Sequence, residues 1–173
     1  MPTPPSTTPA QGDPRLLETS LARDLLGRAI PARLAYVTRA GEPRIVPTWF
    51  HWTGEEVVMP TWRSGPHIRH PARRLRDLAE RPQVAISIDT EDQPPVVLQI
   101  RGRVTIDDVD GVADEYRLAA RRYLGEEAAG QFLAQFDGVP VGMARIAVRP
   151  EWVGLLDFDE RLPGPLGGVG GAG

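Results

Sequence analysis

The chain has 173 residues, of which 41% are apolar and 25% are charged, with a formal net charge of −3. This profile is typical of one soluble globular domain, and the negative charge argues against nucleic acid as a bulk partner. The absence of cysteine excludes disulfides, thiolate catalysis and cysteine-ligated metals, and with three histidines in the chain no metal site is expected.

Both ends of the sequence are expected to lie outside the folded core. Residues 1–14 are rich in proline, and residues 161–173 are mostly glycine and proline, so neither segment can build a core. A single domain is therefore expected over residues 15–160. The N-terminus lacks the basic and apolar regions of a secretory signal, and no apolar run approaches the roughly 20 residues needed to cross a bilayer. We expect a cytoplasmic protein without a membrane partner.

The first half of this domain is predicted to contain one helix followed by three strands. Apolar residues over 16–28 have the spacing of an amphipathic helix. The pattern then changes to a period of two, interrupted by turn signals at Ala40-Gly41 and Thr53-Gly54. It predicts a three-strand meander over residues 33–39, 43–52 and 56–61.

The second half is predicted to alternate between strands and helices. The expected helices are 72–80, 108–124 and 126–136, and the expected strands are 84–89, 96–106, 143–148 and 151–156. The strands are mostly sequential and outnumber the helices, which favours a closed antiparallel sheet. The predicted fold is mainly β, an antiparallel barrel of six to seven strands with flanking helices.

The first candidate binding segment is the strand Arg44-Ile45-Val46-Pro47-Thr48-Trp49-Phe50. A proline within a strand removes a ladder donor, so we expect a sheet edge or a bulge near Pro47. Thr48 and Trp49 would then lie where backbone and hydroxyl groups could meet a planar ligand. The alternative is an ordinary edge strand with core aromatics.

The second candidate is the strand end and loop Pro60-Thr61-Trp62-Arg63-Ser64-Gly65-Pro66-His67-Ile68-Arg69, which precedes a helix. Hydroxyl groups, a flexible glycine and guanidinium groups together favour an anion site, and every basic side chain of the protein is an arginine. Further arginines follow at positions 69, 73, 74 and 76. The alternative is a solvated basic surface. His51 and His67 are candidates for acid–base work or for packing, and no catalytic residue is assigned.

The order of these segments is similar to that of a known family. The segments are ARLAYVTRAGEPRIVPTWFHW (32–52), EVVMPT (56–61), RRLRDLAERPQVAISID (73–89), QIRGRVTI (99–106) and RRYLG (121–125). From about residue 33 to 157 the chain resembles the pyridoxamine 5'-phosphate oxidase-like superfamily, split β-barrels that bind FMN or the deazaflavin coenzyme F420. The resemblance implies cofactor contacts at Arg44, Val46, Pro47, Thr48 and Trp49, at Pro60, Thr61, Trp62 and Arg63, and at His67, Arg69, Arg73 and Arg74.

The resemblance leaves the ligand of the cofactor phosphate open. Counting back from Pro82, where the family's helix ends, gives Arg73-Arg74, whereas counting forward from Thr61 gives His67. The two counts differ because the intervening loop is longer than usual, so His67, Arg69 and Arg74 remain alternatives. The C-terminus also lacks the basic segment that grips substrate in true pyridoxamine phosphate oxidases, so oxidation of pyridoxamine 5'-phosphate is not expected.

The resemblance implies an FMN-dependent oxidoreductase acting on a small-molecule substrate. The alternatives are a coenzyme F420-dependent reductase and a flavin-binding or carrier protein without turnover. A homodimer is expected, because the aromatic residues Trp49, Phe50 and Trp52 would otherwise expose an apolar patch and because the family builds each cofactor site from two chains.

Overall fold

The computed structural model describes residues 9–70 and 72–161. Within these residues, seven strands form one antiparallel sheet in the order β2-β1-β5-β6-β7-β4-β3. The strands are β1 Ala32–Val37, β2 Pro43–Thr48, β3 His51–Trp52, β4 Val57–Ser64, β5 Gln83–Asp89, β6 Val96–Asp110 and β7 Gly142–Asp157. A 3-10 helix, Pro14–Glu18, precedes the helices α1 Ser20–Gly27, α2 Arg74–Glu80, α3 Asp114–Leu124, α4 Glu126–Ala134 and α5 Phe158–Arg161. The expected mainly β fold with flanking helices is confirmed.

The predicted three-strand meander is wrong. Strand β2 pairs only with β1 among the described residues, and the chain then crosses to the other end of the sheet order, where β3 pairs with β4. The break falls at Trp49 and Phe50, and the side chain of Phe50 is fully buried in the main core. Periodicity identifies a strand but not its partner, because sheet neighbours are chosen by long-range packing.

Strands β6 and β7 are longer than predicted and form a two-stranded ribbon. The helix expected from residue 108 begins only at Asp114, and the two strands expected over 143–156 are one continuous strand. A bulge makes this possible: the register shifts between Arg101 and Gly102, which leaves one extra residue opposite, on β7. A Cβ atom on Gly102 would lie 2.3 Å from the backbone oxygen of Arg149, so only glycine allows this close approach.

The N-terminal part of the chain joins the fold earlier than expected. The backbone N–H of Gly12 donates to Val153 O at 2.7 Å, and the Gln11 side chain donates to Leu155 O at 2.6 Å. Residues 11–14 therefore belong with the domain rather than with the expected tail, whose residues 1–8 lie outside the described residues, as do residues 162–173 of the C-terminal tail. The single helix predicted over 16–28 is divided at Thr19, whose side chain accepts from Ala22 N and caps α1.

Two hydrophobic clusters position the candidate site. The main core lies inside the sheet and contains alternating residues of β1, β5, β6 and β7, such as Leu34, Ile86, Ile100 and Ile146. Burial of each such side chain contributes about 1.5–3 kcal/mol. A second cluster packs α3 and α4 against β4 and β7, with the partly buried Trp49, Trp62 and Tyr116 on it. No helix in the described part of the chain has the length and apolar character to cross a membrane.

Candidate functional site

Two depressions lie along β2. The aromatic depression, about 390 Å³, is at the end of the strand and is lined by Pro31, Pro47, Thr48, Trp49, Pro60 and Tyr116. The arginine depression, about 580 Å³, is at its start and is lined by Tyr36, Thr38, Arg39, Ala40, Glu42, Arg44, Arg73, Arg76 and Asp77. Arg44 and Thr48 are about 13 Å apart at roughly 3.3 Å per strand residue. One extended ligand could therefore reach both.

The aromatic depression has a rigid and uncharged wall. The indole of Trp49 stacks on the ring of Tyr123, with the centroids 5.0 Å apart and the planes within 5°. The ring of Tyr116 lies 5.8 Å from Trp49 and 5.3 Å from Trp62. Its lining contains no charged side chain. The arrangement suits a flat, neutral ring system.

The backbone of β2 is available on one side. The expectation of a sheet edge near Pro47 is confirmed, since β2 has β1 as its one ladder partner in the described chain. The Thr48 hydroxyl donates to Trp49 O at 3.2 Å, so its remaining capacity is as an acceptor. The Val46 side chain packs against the main core, which leaves only its backbone to meet a ligand.

Arg74 lines neither depression itself, although the adjacent Arg73 lines the arginine depression. Arg74 is the first residue of α2, and its guanidinium donates to the hydroxyl of Thr61 on β4. Thr61 directly follows Pro60, which lines the aromatic depression. The side chain is half-buried, and this burial lowers the pKa of Arg74 from its ordinary value, while Tyr36 acts in the opposite direction. No carboxylate pairs with it within residues 9–70 and 72–161. Arg74 is thus a charged donor whose recorded side-chain partner is a neutral hydroxyl.

The other sequence-predicted residues are distributed unevenly. Arg44 is exposed and pairs with Glu42 at 2.9 Å, and Arg73 is an exposed part of the arginine depression. Arg63 instead pairs with Asp108 of β6. The ring of His67 lies edge-on to Trp62 at 5.1 Å and 5.6 Å from Phe136, so it belongs to the aromatic cluster beneath α4. Arg69 is exposed and lines neither depression.

The sequence reasoning missed the residues that α3 contributes. Tyr116 lines the aromatic depression, and Tyr123 supports Trp49 from behind. Arg122 donates to Phe50 O, to Leu26 O at 3.0 Å and to the Tyr123 hydroxyl at 3.2 Å, so it fixes the chain segment next to Trp49. Arg122 and Tyr123 lie in the RRYLG segment, which the sequence analysis noted as part of the family resemblance. Nothing in the composition of that segment predicts their contacts with the chain around Trp49.

His51 is placed in packing rather than in either depression. Its pKa is lowered by burial and by the nearby Arg122, so the imidazole is held neutral. This environment favours the alternative that His51 is a structural residue. No group of three histidine, aspartate or glutamate side chains that could hold a metal ion occurs in the part of the chain that the structure describes.

The fold and this site define a split β-barrel protein with two depressions along its edge strand. The chain belongs to the pyridoxamine 5'-phosphate oxidase family, whose profile matches residues 19–157. No curated protein matches the sequence.

Solved structures agree with this assignment. A structure described as an F420 reductase is 26% identical, with a TM-score of 0.54 over 76% of this chain and 94% of that one. A conserved hypothetical protein from Mycobacterium tuberculosis is 15% identical, with a TM-score of 0.57 over 91% of this chain and 94% of that one. General Stress Protein 26 from Bacillus anthracis is 13% identical, with a TM-score of 0.56 over 83% and 95% of the two chains. The last two similarities establish the fold alone.

Proposed function

We propose that this protein is an oxidoreductase that holds a phosphorylated flavin-type cofactor along β2. The observation that carries the proposal is Arg74, a half-buried guanidinium that lacks a carboxylate partner among the described residues and donates to the Thr61 hydroxyl. A buried charge without an ionic partner is costly unless it serves a ligand. A phosphate at this position would accept two parallel hydrogen bonds from the guanidinium.

The residues present fit such a cofactor at both of its ends. Its flat ring system matches the uncharged aromatic depression, whose volume of about 390 Å³ is within the usual range for ligand sites. Its phosphate matches Arg74. When bound, the ring would supply the hydride chemistry. The protein's part is to orient the ring edge on the backbone of β2, to exclude water with Trp49 and Tyr123, and to hold the phosphate.

The deazaflavin F420 is favoured over FMN by the arginine depression. Its four arginines, Arg39, Arg44, Arg73 and Arg76, outnumber its two acidic residues. Arg39 and Arg44 have carboxylate partners, whereas Arg73 and Arg76 form no ion pair within the described residues. FMN ends at its phosphate, whereas F420 continues into an anionic polyglutamate tail that such a surface would attract. The 26% identity to an F420 reductase supports the same choice. The substrate is proposed to be a small molecule other than pyridoxamine 5'-phosphate.

Titration of the purified protein with F420 and with FMN tests this proposal. We expect the fluorescence of F420 to change on binding, with a lower dissociation constant than that of FMN under the same conditions. Hydride transfer from reduced F420 to added acceptors then distinguishes an enzyme from a carrier. Tight binding of FMN without binding of F420 would show that FMN is the preferred cofactor. Binding of neither compound would refute the proposal.

A homodimer built on the β2 edge is also proposed. The expected exposed aromatic patch does not occur, because Phe50 is buried and Trp49 and Trp52 are half-buried within their own chain. A better reason is Ile45, which leaves 67% of its surface exposed near the centre of β2, whose outer side has no ladder partner in the described chain. Exposed edges of this kind are normally covered.

The dimer predicts a specific effect of charge at this edge. We expect light scattering to give a dimer for the parent and a monomer for Ile45→Glu, because a buried carboxylate without a partner would separate the chains. Leu118→Glu, on the exposed side of α3, is the matched control and should remain a dimer. A monomeric parent that binds cofactor would contradict this proposal.

A further inference from the structure

A third depression lies beside β3, at the opposite end of the sheet order from β2. Its volume is about 600 Å³, within the usual range for small-molecule sites, and it shares no lining residue with the aromatic or the arginine depression. Its sides are the 3-10 helix with α1, the turn between β3 and β4, and β7 at Pro150. We call it the Trp52 depression, after the indole in its lining.

The sides of the Trp52 depression are fixed by hydrogen bonds within the chain. The backbone N–H of Gly12 donates to Val153 O at 2.7 Å, which ties the segment before the 3-10 helix to β7. In the turn, the Thr53 hydroxyl accepts from the backbone N–H groups of Glu55 and Glu56 at 3.3 and 3.0 Å. A ligand therefore meets a preformed site, and little free energy is lost in ordering it.

The floor of the Trp52 depression is apolar and includes part of an indole. Leu17 is buried there, and the half-buried Trp52 packs against the main core. Strand β3 has β4 as its one ladder partner in the described chain, so Trp52 lies at an open edge of the sheet. The part of the indole that the core does not cover lines the depression with Pro14 and Pro150. Such a surface suits the ring of a flat ligand.

The charged groups of the lining are only partly paired with one another. They are Arg15, Glu18, Arg23, Glu55 and Arg149. Arg15 is bound to Asp13 at 2.6 Å, and Arg149 is bound to Glu55 at 2.8 Å. Arg23 and Glu18 are exposed and form no ion pair within residues 9–70 and 72–161. Among the described residues, the depression thus offers a ligand one guanidinium and one carboxylate.

This pair of charges restricts the kind of ligand that fits. A simple anion would be attracted by Arg23 and repelled by Glu18, and a simple cation would meet the reverse. A molecule that carries both charges close together satisfies both groups, and an α-amino acid has its carboxylate and its ammonium on one carbon. We propose that the Trp52 depression binds a free aromatic α-amino acid, with its carboxylate at Arg23, its ammonium at Glu18 and its ring on Trp52. The site is separate from the proposed cofactor site and does not depend on it.

Calorimetric titration of the full-length protein with three related compounds tests this proposal. L-Tryptophan carries both charges, L-tryptophanamide lacks the carboxylate, and indole-3-propionate lacks the ammonium. At about pH 6, where the amines are protonated, we expect L-tryptophan to bind about 5-fold or more tightly than either analogue. The reason is that each analogue leaves one charged group of the site without a partner. Equal affinities for all three compounds, or no binding of L-tryptophan, would overturn the proposal.

Two substitutions of exposed residues assign the two ionic contacts. Arg23→Ala should weaken the binding of L-tryptophan and indole-3-propionate about 3- to 10-fold and change that of the amide by less than about twofold. Glu18→Gln should weaken the binding of L-tryptophan and the amide by a similar factor and leave indole-3-propionate unaffected. If L-tryptophan binds both variants as it binds the parent, it occupies another part of the molecule and the proposal is wrong.

Arg28→Ala is the matched control, because Arg28 is an exposed arginine at the C-terminal end of α1 that does not line the depression. It should leave all three affinities within about twofold of the parent, since it makes no contact with the ligand. A loss as large as that in Arg23→Ala would reveal an effect of net charge and overturn the assignment. Trp52→Leu should weaken all three compounds by about 3-fold or more, because the flat contact is lost. Should Trp52→Leu fail to fold by circular dichroism, the Arg23 and Glu18 variants still decide.

Discussion

Arg74→Ala is expected to weaken cofactor binding by about 1.5–3 kcal/mol, or roughly 10- to 150-fold in dissociation constant. The reason is that Arg74 is half-buried and its described surroundings offer it a hydroxyl rather than a carboxylate, so its charge is available to the phosphate. Arg74→Lys should lose less, because lysine keeps the charge and gives up the two-pronged donor. Fluorescence titrations of all variants with F420 and FMN at one salt concentration provide the measurement.

Three further variants control for the alternatives. Arg76 lies in the arginine depression, so Arg76→Ala should leave FMN affinity unchanged and reduce only F420 affinity. Arg69 and His67, the alternatives left open by the longer loop, line neither depression, and the same is true of Arg74, so the binding data decide among the three. If Arg69→Ala or His67→Ala weakens binding while Arg74→Ala does not, the loop count was the correct alignment and the assignment of Arg74 is wrong.

Arg145→Ala is expected to lower the free energy of unfolding by about 3 kcal/mol at pH 7. Removal of one partner from a buried ionic group typically costs 3–5 kcal/mol, and the lower end applies because Arg145, Glu115 and Glu56 keep 22%, 18% and 25% of their side-chain surfaces exposed. The variant would leave two carboxylates without the guanidinium between α3 and the sheet. Chemical denaturation followed by circular dichroism gives the value.

The loss should depend on pH in a defined direction. Burial is the largest single influence and raises the pKa of Glu115, but the hydrogen bond and charge of Arg145, a backbone hydrogen bond and the nearby His51 together outweigh it, so the pKa is lowered in the native protein. The stabilisation is therefore present above the ordinary glutamate pKa and is lost as the pH falls through the native value. In the variant both contributions of Arg145 are lost and burial is opposed by less, so protonation of Glu115 relieves part of the cost, and the difference from the parent should shrink between pH 7 and about 4.

Arg149→Ala provides the comparison, since the pair of Arg149 with Glu55 is on the surface. Its removal should change the free energy of unfolding little at any of these pH values. A destabilisation of Arg145→Ala that is equally large at pH 4 and pH 7 would show that lost packing, rather than charge, is responsible.

The sequence predicted the kinds of elements better than their arrangement. Alternation and turn residues identified β1 and β5 nearly to their ends and the starts of β2 and β4, because these signals are local. The crossing from β2 to β3 was not visible, because it depends on the burial of Phe50 in a core built by distant strands. The length of β7 was missed because Pro150 suggested an interruption, while the compensating bulge at Gly102 is on another strand.

For the candidate site as well, residues with a local sequence signal were predicted and residues placed by long-range packing were not. Thr48, Trp49 and Arg74 were predicted because strand edges and arginines leave a local signature, and the present preference for Arg74 among the basic residues rests on its contact with Thr61. Tyr116 and Tyr123 were missed because they come from a helix more than fifty residues further along the chain. Only the packing of α3 on the second cluster brings them to Trp49.

The edge strand β2 has a further consequence, for the behaviour of the protein at high concentration. An open edge with regular N–H donors can template the addition of one chain after another into fibrils. Pro43 and Pro47 withdraw two of the six donors of β2, and Arg44 places a charge between them. The edge can therefore accept a single well-matched neighbour but is a poor template for continued growth. Replacement of both prolines by valine should make the protein aggregate more readily on concentration, even where its fold is unchanged.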